Sequence, residues 1–466
     1  MAAVAPAAST RPTPETVAKV EAYLQEQLTK KKVPGAAFAI VHGSETVWAE
    51  GFGTTAAASG RPVTPDTLFE IGSLTKGMTA LATLQLVERG LLELDAPVRR
   101  YLPWFAVADE GASAAITVRH CLDQVTGLPN GAWKVALVDP SVQSSLEKAV
   151  RALHTVKLIS KPGEKWMYCN MNYSILGLLI EVVTGTPYPQ HIQENLFQPL
   201  GMEGSCFDRD VIAQRDHADL HIDQFGKVIP IPLESHPWAA PAGVGLQCSL
   251  RDMVRYAAFQ LEGPGLINRE TLQGSHWGNV DPNMKDVRYG LGWFNMADFH
   301  GARLVMNYGG TGGHASVLCL LPDLNLAVTG MFSLNTGFAL KVGLNIIRIL
   351  RGQEPNVPDV FPDFSGIFFG LINGLMGLGA LGAASLALAV VLGWKLGAVL
   401  AVILTLLGLL MLTVPRSLLR NMLLPLPTIW RIGPGGWPLG MVIGWWMLVA
   451  SVAGWGIYGL LTAFVF

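Results

Sequence analysis

The chain has 466 residues, a formal net charge of −2 and a hydrophobic content of 50%, while charged residues make up only 15% against roughly a quarter in an ordinary soluble domain. A near-neutral balance without a basic tract excludes nucleic acid as an expected partner. The five cysteines are odd in number and form no CxxC pair, so neither a disulfide framework nor a zinc site is indicated.

The N-terminal part of the chain predicts a helix followed by a hairpin. Residues Pro14–Lys31 place apolar side chains along one helical face, and Thr13 can cap this helix. Two strand-like runs follow at 36–41 and 46–52. Because a short turn separates the two runs, we expect them to pair as a β-hairpin.

Further along, one strong helix and a late group of strands are predicted. The helix covers 73–88, where apolar residues recur at helical spacing. Helical and loop-rich sequence continues to about residue 285, and strand-like runs return at 303–307, 316–321 and 326–332. Strands at both ends with a helical middle predict an α+β domain whose sheet is built from distant parts of the chain.

The C-terminal region is apolar and almost free of charge. Its three apolar runs cover about 366–393, 396–414 and 438–462, and each is long enough to cross a hydrocarbon core of ~30 Å, which takes about 20 helical residues. We therefore expect three transmembrane helices and an integral membrane protein in contact with the lipid bilayer. The predicted divisions are a flexible N-terminus at 1–13, a globular domain at 14–350, a linker at 351–365 and a transmembrane domain at 366–466.

Two SxxK sequences occur, at Ser73–Lys76 and Ser145–Lys148. This spacing places both side chains on one helical face, and the lysine can take the serine proton if burial keeps it neutral. Ser145 belongs to an amphipathic segment whose polar face carries both groups to solvent. Ser73 follows Gly72 at the start of an apolar helix, where the helix N-terminus favours developing negative charge. Ser73 is therefore the predicted nucleophile.

Two other elements carry groups suited to the same chemistry. Tyr168 and Asn170 lie in KWMYCNMNYS, where a phenol can relay a proton and an amide can orient substrate or lysine; a core tyrosine with a satisfied hydroxyl is the alternative. Asn307–Gly313 follows a strand-like run, and its glycines let substrate lie against a strand edge with a backbone N–H in an oxyanion hole. A simple glycine-rich turn is the alternative there.

One weak metal pattern is present. His217 and His221 are four residues apart, with Asp216 and Asp219 beside them, but no catalytic glutamate accompanies them as in zinc peptidases. A polar surface segment is the expected interpretation, so neither a metal nor another cofactor is predicted.

The three elements at Ser73–Lys76, Tyr168–Asn170 and Asn307–Gly313, in this order and at this separation, resemble the β-lactamase-related serine hydrolases. This family includes class C β-lactamases, D-Ala-D-Ala peptidases, related esterases and D-aminopeptidases. The resemblance covers roughly residues 15–345 and includes FEIGSLTKGMTALATLQLVERG, PGEKWMYCNMNYSILG and PAGVGLQCSLRDMVRYAAF. It implies an α+β fold in which an antiparallel sheet is flanked by helices and a mainly helical subdomain is inserted. The active site would lie between the two parts.

The resemblance also implies residue roles. The implied catalytic residues are Ser73 as nucleophile, Lys76 as base and Tyr168 as proton shuttle. The implied substrate-binding residues are Asn170, Asn307, Gly309 and Gly310, with the backbone N–H groups of Ser73 and Gly310 forming the oxyanion hole.

One position departs from the family pattern. The third motif usually begins with lysine or histidine, whereas Asn307 stands there and cannot supply a charge. Substrates that carry a carboxylate, such as β-lactams and free C-terminal D-Ala peptides, are therefore in doubt unless Arg288 or Arg303 reaches the site. His314 could fill a neighbouring role or be a surface histidine.

The predicted function is hydrolysis of an amide or ester through an acyl-enzyme on Ser73. The expected substrate is a small molecule or peptide, and a lipophilic one delivered from the bilayer would explain an anchor. One alternative is a D-amino-acid-specific peptidase that removes an N-acyl prodrug cap. The predicted layout, one hydrolase domain followed by three membrane helices, resembles that of membrane-anchored peptidases of this kind. Another is a catalytically silent binding or assembly module.

The expected side of the membrane rests on opposing signals. Arg416, Arg420 and Arg431 would lie on the same side as the N-terminal domain, which favours a cytoplasmic domain under the positive-inside rule. The missing signal peptide points the same way. The family resemblance favours the extracytoplasmic face, which is the expectation adopted.

Overall fold

A computed structural model describes residues 11–57, 60–137, 145–224, 227–231, 242–243, 245–263, 265–335 and 337–357. The helices are α1 (Pro14–Lys31), α2 (Thr75–Glu88), α3 (Glu110–Ala115), α4 (Val118–Leu122), α5 (Leu146–Arg151), α6 (Asn170–Thr184), α7 (Tyr188–Ile192), α8 (Gln198–Leu200), α9 (Arg209–Ala213), α10 (Leu250–Glu262), α11 (Arg269–Ser275) and α12 (Ala339–Leu350). The strands are β1 (Gly35–His42), β2 (Glu45–Gly53), β3 (Leu68–Glu70), β4 (Leu220–Gln224), β5 (Lys227–Ile231), β6 (Gln247–Ser249), β7 (Arg288–Gly290), β8 (Trp293–Met296), β9 (Leu304–Gly310), β10 (Ala315–Leu321) and β11 (Leu326–Phe332).

The main sheet joins the two ends of the described chain. Its strands are antiparallel and follow the order β2-β1-β11-β10-β9-β8-β7. β1 pairs with β11 from Ala36 opposite Phe332 to His42 opposite Leu326. The N-terminal hairpin therefore lies beside the last strand, and the predicted α+β domain with a sheet built from distant segments is confirmed.

Helices cover both faces of this sheet. α10 packs against β1 and β11, while α12 packs against β10 and β11 and also contacts α1. Because both faces are covered, β1 is buried at every position except His42, and its sequence is continuously apolar instead of alternating. Gly343 lets α12 approach closely, since a Cβ there would lie 2.9 Å from a methyl group of Val317.

A helical part is inserted between β3 and β4. Its centre is α6, which packs against α2, α4, α5 and α7 and is buried continuously over 171–180. α2 is also buried along nearly its whole length. This arrangement agrees with the expected helical subdomain, and it places the first residues of α2 and α6 near the sheet.

The membrane part of the predicted fold class is corrected. Among the described residues, no helix is both long enough and apolar enough to cross a membrane. α1 has 18 residues but carries charged side chains along its length. The apolar α6 has 15 residues, which reach about 22 Å at the α-helical rise, short of a core of ~30 Å.

The three segments predicted to span the bilayer, 366–393, 396–414 and 438–462, lie outside the described residues. The structure supports the α+β fold and gives no support to an integral membrane protein, so the fold-class and localisation predictions are corrected accordingly. The predicted domain boundaries at 13, 350 and 365 stay predictions.

Gly330 offers a test of the sheet packing. It lies opposite Phe38 across β11 and β1, and a Cβ at Gly330 would overlap the buried Phe38 ring. We expect Gly330→Ala to lower the free energy of unfolding by about 1–3 kcal/mol because the ring must move, measured by denaturant unfolding. The control is Gly274→Ala in α11, where an added Cβ meets no atom within 4 Å. Equal losses in the two variants would contradict the packing described.

Candidate active site

A tight turn presents Ser73 at the entrance to α2. β3 leads into a 3-10 turn, Gly72–Leu74, from which α2 continues. Gly72 has a φ of +56°, in the left-handed region that favours glycine. The hydroxyl of Ser316 donates to the Ile71 carbonyl oxygen over 2.6 Å. The hydrogen bond therefore ties the turn that carries Ser73 to β10.

The same turn meets β9 backbone against backbone. A Cβ at Gly72 would lie 2.8 Å from the backbone nitrogen of Gly310, and one at Gly309 would lie 2.8 Å from that of Ser73. Both distances are too short for a side chain, so glycine is required on both sides of this contact. The turn and the end of β9, which are distant in sequence, consequently bring the backbones of Ser73 and Gly310 close together.

Lys76 is buried beside the serine, with only 1% of its surface exposed. Its Nζ lies 3.0 Å from Ser73 Oγ, 2.7 Å from Asn170 Oδ1 and 2.8 Å from the Gly243 carbonyl oxygen. Burial lowers the pKa of Lys76 to about 7, because desolvation disfavours the ammonium form. The neutral amine is therefore accessible near neutral pH.

Tyr168 completes the cluster. Its hydroxyl forms a short hydrogen bond with Ser73 Oγ, and the Lys76 Nζ lies 4.9 Å from its ring centroid. Burial raises the pKa of the Tyr168 phenol, and the hydrogen bond with Ser73 offsets this only in part. The phenol is therefore protonated at neutral pH and can give or accept a proton only as a relay. The structure brings together Ser73, Lys76, Tyr168 and Asn170.

Asn307 turns its amide toward the backbone. Its Nδ2 donates to the Gly292 carbonyl oxygen over 2.8 Å, and its Oδ1 accepts from the Tyr308 N–H at the same distance. The side chain is buried. Asn307 thus links β9 to the turn before β8, while Gly309 and Gly310 at the end of β9 make the contact with the Ser73 turn.

The second SxxK sequence lies elsewhere and is used differently. Ser145 caps α5, with its hydroxyl oxygen accepting from the Lys148 backbone N–H over 3.4 Å. The Lys148 side chain is exposed.

The histidines considered from the sequence hold parts of the fold together. His314 is buried; its Nδ1 accepts from the Glu70 N–H over 2.9 Å and its Nε2 lies 3.1 Å from the Asp219 carbonyl oxygen. It is therefore not a surface histidine. His221 is also buried, between Ala57 and Ser333. Within the described residues, no group of three or more His, Cys, Asp or Glu side chains could hold a metal ion.

The sequence did not reveal the residues that position the Gly243 carbonyl, the third partner of Lys76. Thr79 Oγ1 donates to the Ala242 carbonyl oxygen over 2.6 Å and lies 2.7 Å from the Tyr188 hydroxyl. Because the threonine proton is given to Ala242, the tyrosine is the donor to the threonine. These two hydrogen bonds fix Ala242, the residue before Gly243. The spacing of Thr79 and Lys76 on one face of α2 was visible in the sequence, but the partner was not.

The fold and this arrangement define a β-lactamase-fold protein of the serine hydrolase and penicillin-binding-protein class. The profile of the Beta-lactamase family matches residues 20–350, which is more than half of the chain. The chain belongs to the Beta-lactamase family.

Two curated relatives and one solved structure illustrate the similarity. Protein flp of Staphylococcus aureus (strain MW2) is 29% identical over 336 residues, covering 71% of this chain and 66% of that protein. Unguisins hydrolase ungD' of Aspergillus campestris (strain IBT 28561) is 26% identical over 324 residues, covering 66% of this chain and 59% of that protein. The chain therefore spans less than two thirds of these relatives. The octameric penicillin-binding protein homologue from Pyrococcus abyssi aligns with a TM-score of 0.67 and 28% identity, covering 73% of this chain and 78% of that one.

The contact between Thr79 and Ala242 generates a prediction about the lysine. Thr79→Val removes the donor to Ala242, so the Gly243 carbonyl is no longer held against Lys76. We expect covalent labelling of the protein by a fluorophosphonate to slow by about 10- to 100-fold, the range typical of a small misplacement of a reacting group. Thr79→Ser keeps the hydroxyl and should restore the rate.

The matched control is Thr83→Val, one turn further along α2. Thr83 is also buried, but its hydroxyl donates to the Thr79 carbonyl oxygen over 2.8 Å, away from Ala242. A Thr79→Val protein that labels as fast as Thr83→Val would contradict the positioning role.

Proposed function

We propose that the chain is a serine hydrolase that cleaves an amide or ester bond through an acyl-enzyme on Ser73. Lys76 acts as the base and Tyr168 as the proton shuttle. The observation that carries this proposal is the buried Lys76 amine, which lies 3.0 Å from Ser73 Oγ with its other contacts made to neutral oxygen atoms. A lysine held in this way has a lowered pKa and suits a general base.

Acylation follows from the hydrogen bonds of the lysine. As a neutral amine, Lys76 uses two N–H groups for Asn170 Oδ1 and the Gly243 carbonyl oxygen, which leaves its lone pair for the Ser73 proton. Ser73 Oγ then attacks the substrate carbonyl carbon. The backbone N–H groups of Ser73 and Gly310 stabilise the oxyanion. Tyr168 passes the proton to the leaving nitrogen or oxygen as its bond to carbon breaks.

Deacylation repeats these steps with water. Water gives a proton to the Tyr168 and Lys76 pair and attacks the acyl carbon, and Ser73 Oγ leaves with a proton returned by the same pair. The balance is one water consumed, with a carboxylic acid and an amine or alcohol released. Ser73 and Lys76 return to their starting states.

The substrate proposed is a small molecule or peptide. The name of the relative from Aspergillus campestris, an unguisins hydrolase, supports hydrolysis as the reaction class of this chain. The alternative of a prodrug-cap peptidase rested on the three predicted membrane spans and is not carried further. A catalytically silent module is the remaining alternative, and covalent labelling separates it from a hydrolase.

Labelling of single variants tests the nucleophile. A fluorescent fluorophosphonate should label the wild-type protein, and labelling should be lost in Ser73→Ala and reduced by at least about 100-fold in Lys76→Ala, in line with the loss of a general base. Ser145→Ala is the matched control, because it alters the second SxxK sequence and should label normally. Labelling that survives Ser73→Ala, or none in a folded wild-type protein, would refute the proposal.

The pKa of Lys76 sets the expected pH dependence. Since the neutral amine is the active form and its pKa is lowered to about 7, the labelling rate should rise as the pH increases through about 7 and then level off. The labelling rate is measured between about pH 5 and pH 9 from samples quenched at successive times. A rate that keeps rising toward the ordinary lysine value of 10.5, or that falls with rising pH, would contradict the assigned role.

A further inference from the structure

An aromatic surface adjoins the serine. Trp166, Tyr168 and Tyr308 are half-buried, and Phe294 and Tyr289 lie fully buried behind them. Phe294 stacks on Tyr308, with ring centroids 5.6 Å apart and planes 17° from parallel. The Trp166 ring lies edge-on to Phe294, with centroids 6.1 Å apart, and is tilted by 48° against Tyr168 at 6.3 Å. These five side chains form a continuous unit, called here the aromatic wall.

The aromatic wall begins at the reacting groups. Tyr168 belongs to it and bonds to Ser73 Oγ. At its other end, Tyr308 directly precedes Gly309, which contacts the backbone of Ser73. Under the proposed function, Tyr168 gives its proton to the leaving group. The part of the substrate that lies against the wall is therefore on the leaving-group side of the scissile bond.

Arg303 and Arg288 were the two arginines considered from the sequence as replacements for the usual cation. Arg303 pairs with Asp323, with 2.6 Å between guanidinium and carboxylate. Arg288 is exposed and donates to the Val287 carbonyl oxygen over 3.0 Å. Asn307, where the family usually places a cation, has both ends of its amide bonded to backbone. A carboxylate placed here would lose hydration, and Asn307 offers it no charge in return.

We propose that the aromatic wall is a leaving-group subsite that takes an uncharged aromatic or large apolar substituent. This inference rests on the proposed function and adds the substrate class. Partly accessible aromatic rings stack on aromatic substituents in offset or edge-on geometry. The buried Phe294 and Tyr289 pack against the half-buried rings and hold them in place, so the surface exists before substrate binds.

The test uses three acetate esters and the full chain. The esters are 2-phenylethyl acetate, butyl acetate and 3-acetoxypropanoate, whose leaving alcohols have similar acidity, and acetate release is measured. We expect kcat/KM for the phenylethyl ester to exceed that for the butyl ester by about 10-fold, which corresponds to one well-placed aromatic pair. The carboxylate ester should be the poorest substrate.

Two variants of the wall and one matched control locate the effect. Tyr308→Leu and Trp166→Leu should each remove most of the preference for the phenylethyl over the butyl ester. Trp48→Leu is the control, because Trp48 is also half-buried and faces another ring, Phe52 at 6.0 Å. Its strand, β2, lies at the opposite edge of the sheet, so the preference should stay unchanged.

Fluorophosphonate labelling of Ser73 in each protein separates the two proposals. If Ser73 labels normally, a wild-type protein without preference for the phenylethyl ester, or with preference for the carboxylate ester, overturns the subsite. If Ser73 labels normally but the protein does not hydrolyse the phenylethyl ester, the proposed subsite is also overturned. If Ser73 does not label at all, the proposed function itself fails. A variant that folds poorly would lose labelling and turnover of all three esters together, and the other variant then decides.

Discussion

The burial of Lys76 among neutral oxygen atoms is the constraint on which the rest of the site depends. An ammonium group removed from water without a counter-ion is destabilised by on the order of several kcal/mol, so the neutral amine becomes accessible and the pKa falls to about 7. Three separate parts of the chain must meet to provide its partners: the turn at Ser73, the first residue of α6 and the Gly243 carbonyl. Displacing any one of them leaves a buried N–H unsatisfied or the lone pair without a target.

The sheet meets this requirement through backbone contacts. Gly72 and Gly309 allow the Ser73 turn and the end of β9 to touch without intervening side chains, and Ser316 fixes the turn to β10. Because β9 and β10 are central in a sheet covered on both faces, the position of Ser73 is set by rigid elements. The lysine, one helical turn further on, inherits that position through α2.

Local signals explain what could be predicted from the sequence. Thr13 caps α1 and Pro14 begins it, as the capping pattern indicated, and Gly72 before an apolar run placed Ser73 at the start of a helix. The partners of Lys76 and Thr79 could not be predicted, because Gly243 and Ala242 lie 167 and 163 residues away from them along the chain. The departure of Asn307 from the family pattern was visible in the sequence, but its hydrogen bond to the Gly292 carbonyl oxygen was not. The membrane prediction rested on hydropathy alone, and the described residues contain no spanning helix.

The lowered pKa of Lys76 and the uncharged Asn307 on β9 both fit a site in which the amine stays neutral while substrate is bound. Tyr168 links them, because its hydroxyl bonds to Ser73 while its ring belongs to the aromatic wall, with the lysine 4.9 Å from that ring. A substrate carboxylate held against this wall, without a cation on β9 to balance it, would stabilise the ammonium form and raise the pKa of Lys76. Lys76, the proposed base, would then be protonated when the substrate is bound. An uncharged substituent on the same rings excludes water and keeps the amine neutral, so the chemistry proposed for Ser73 and the selectivity proposed for the wall support each other.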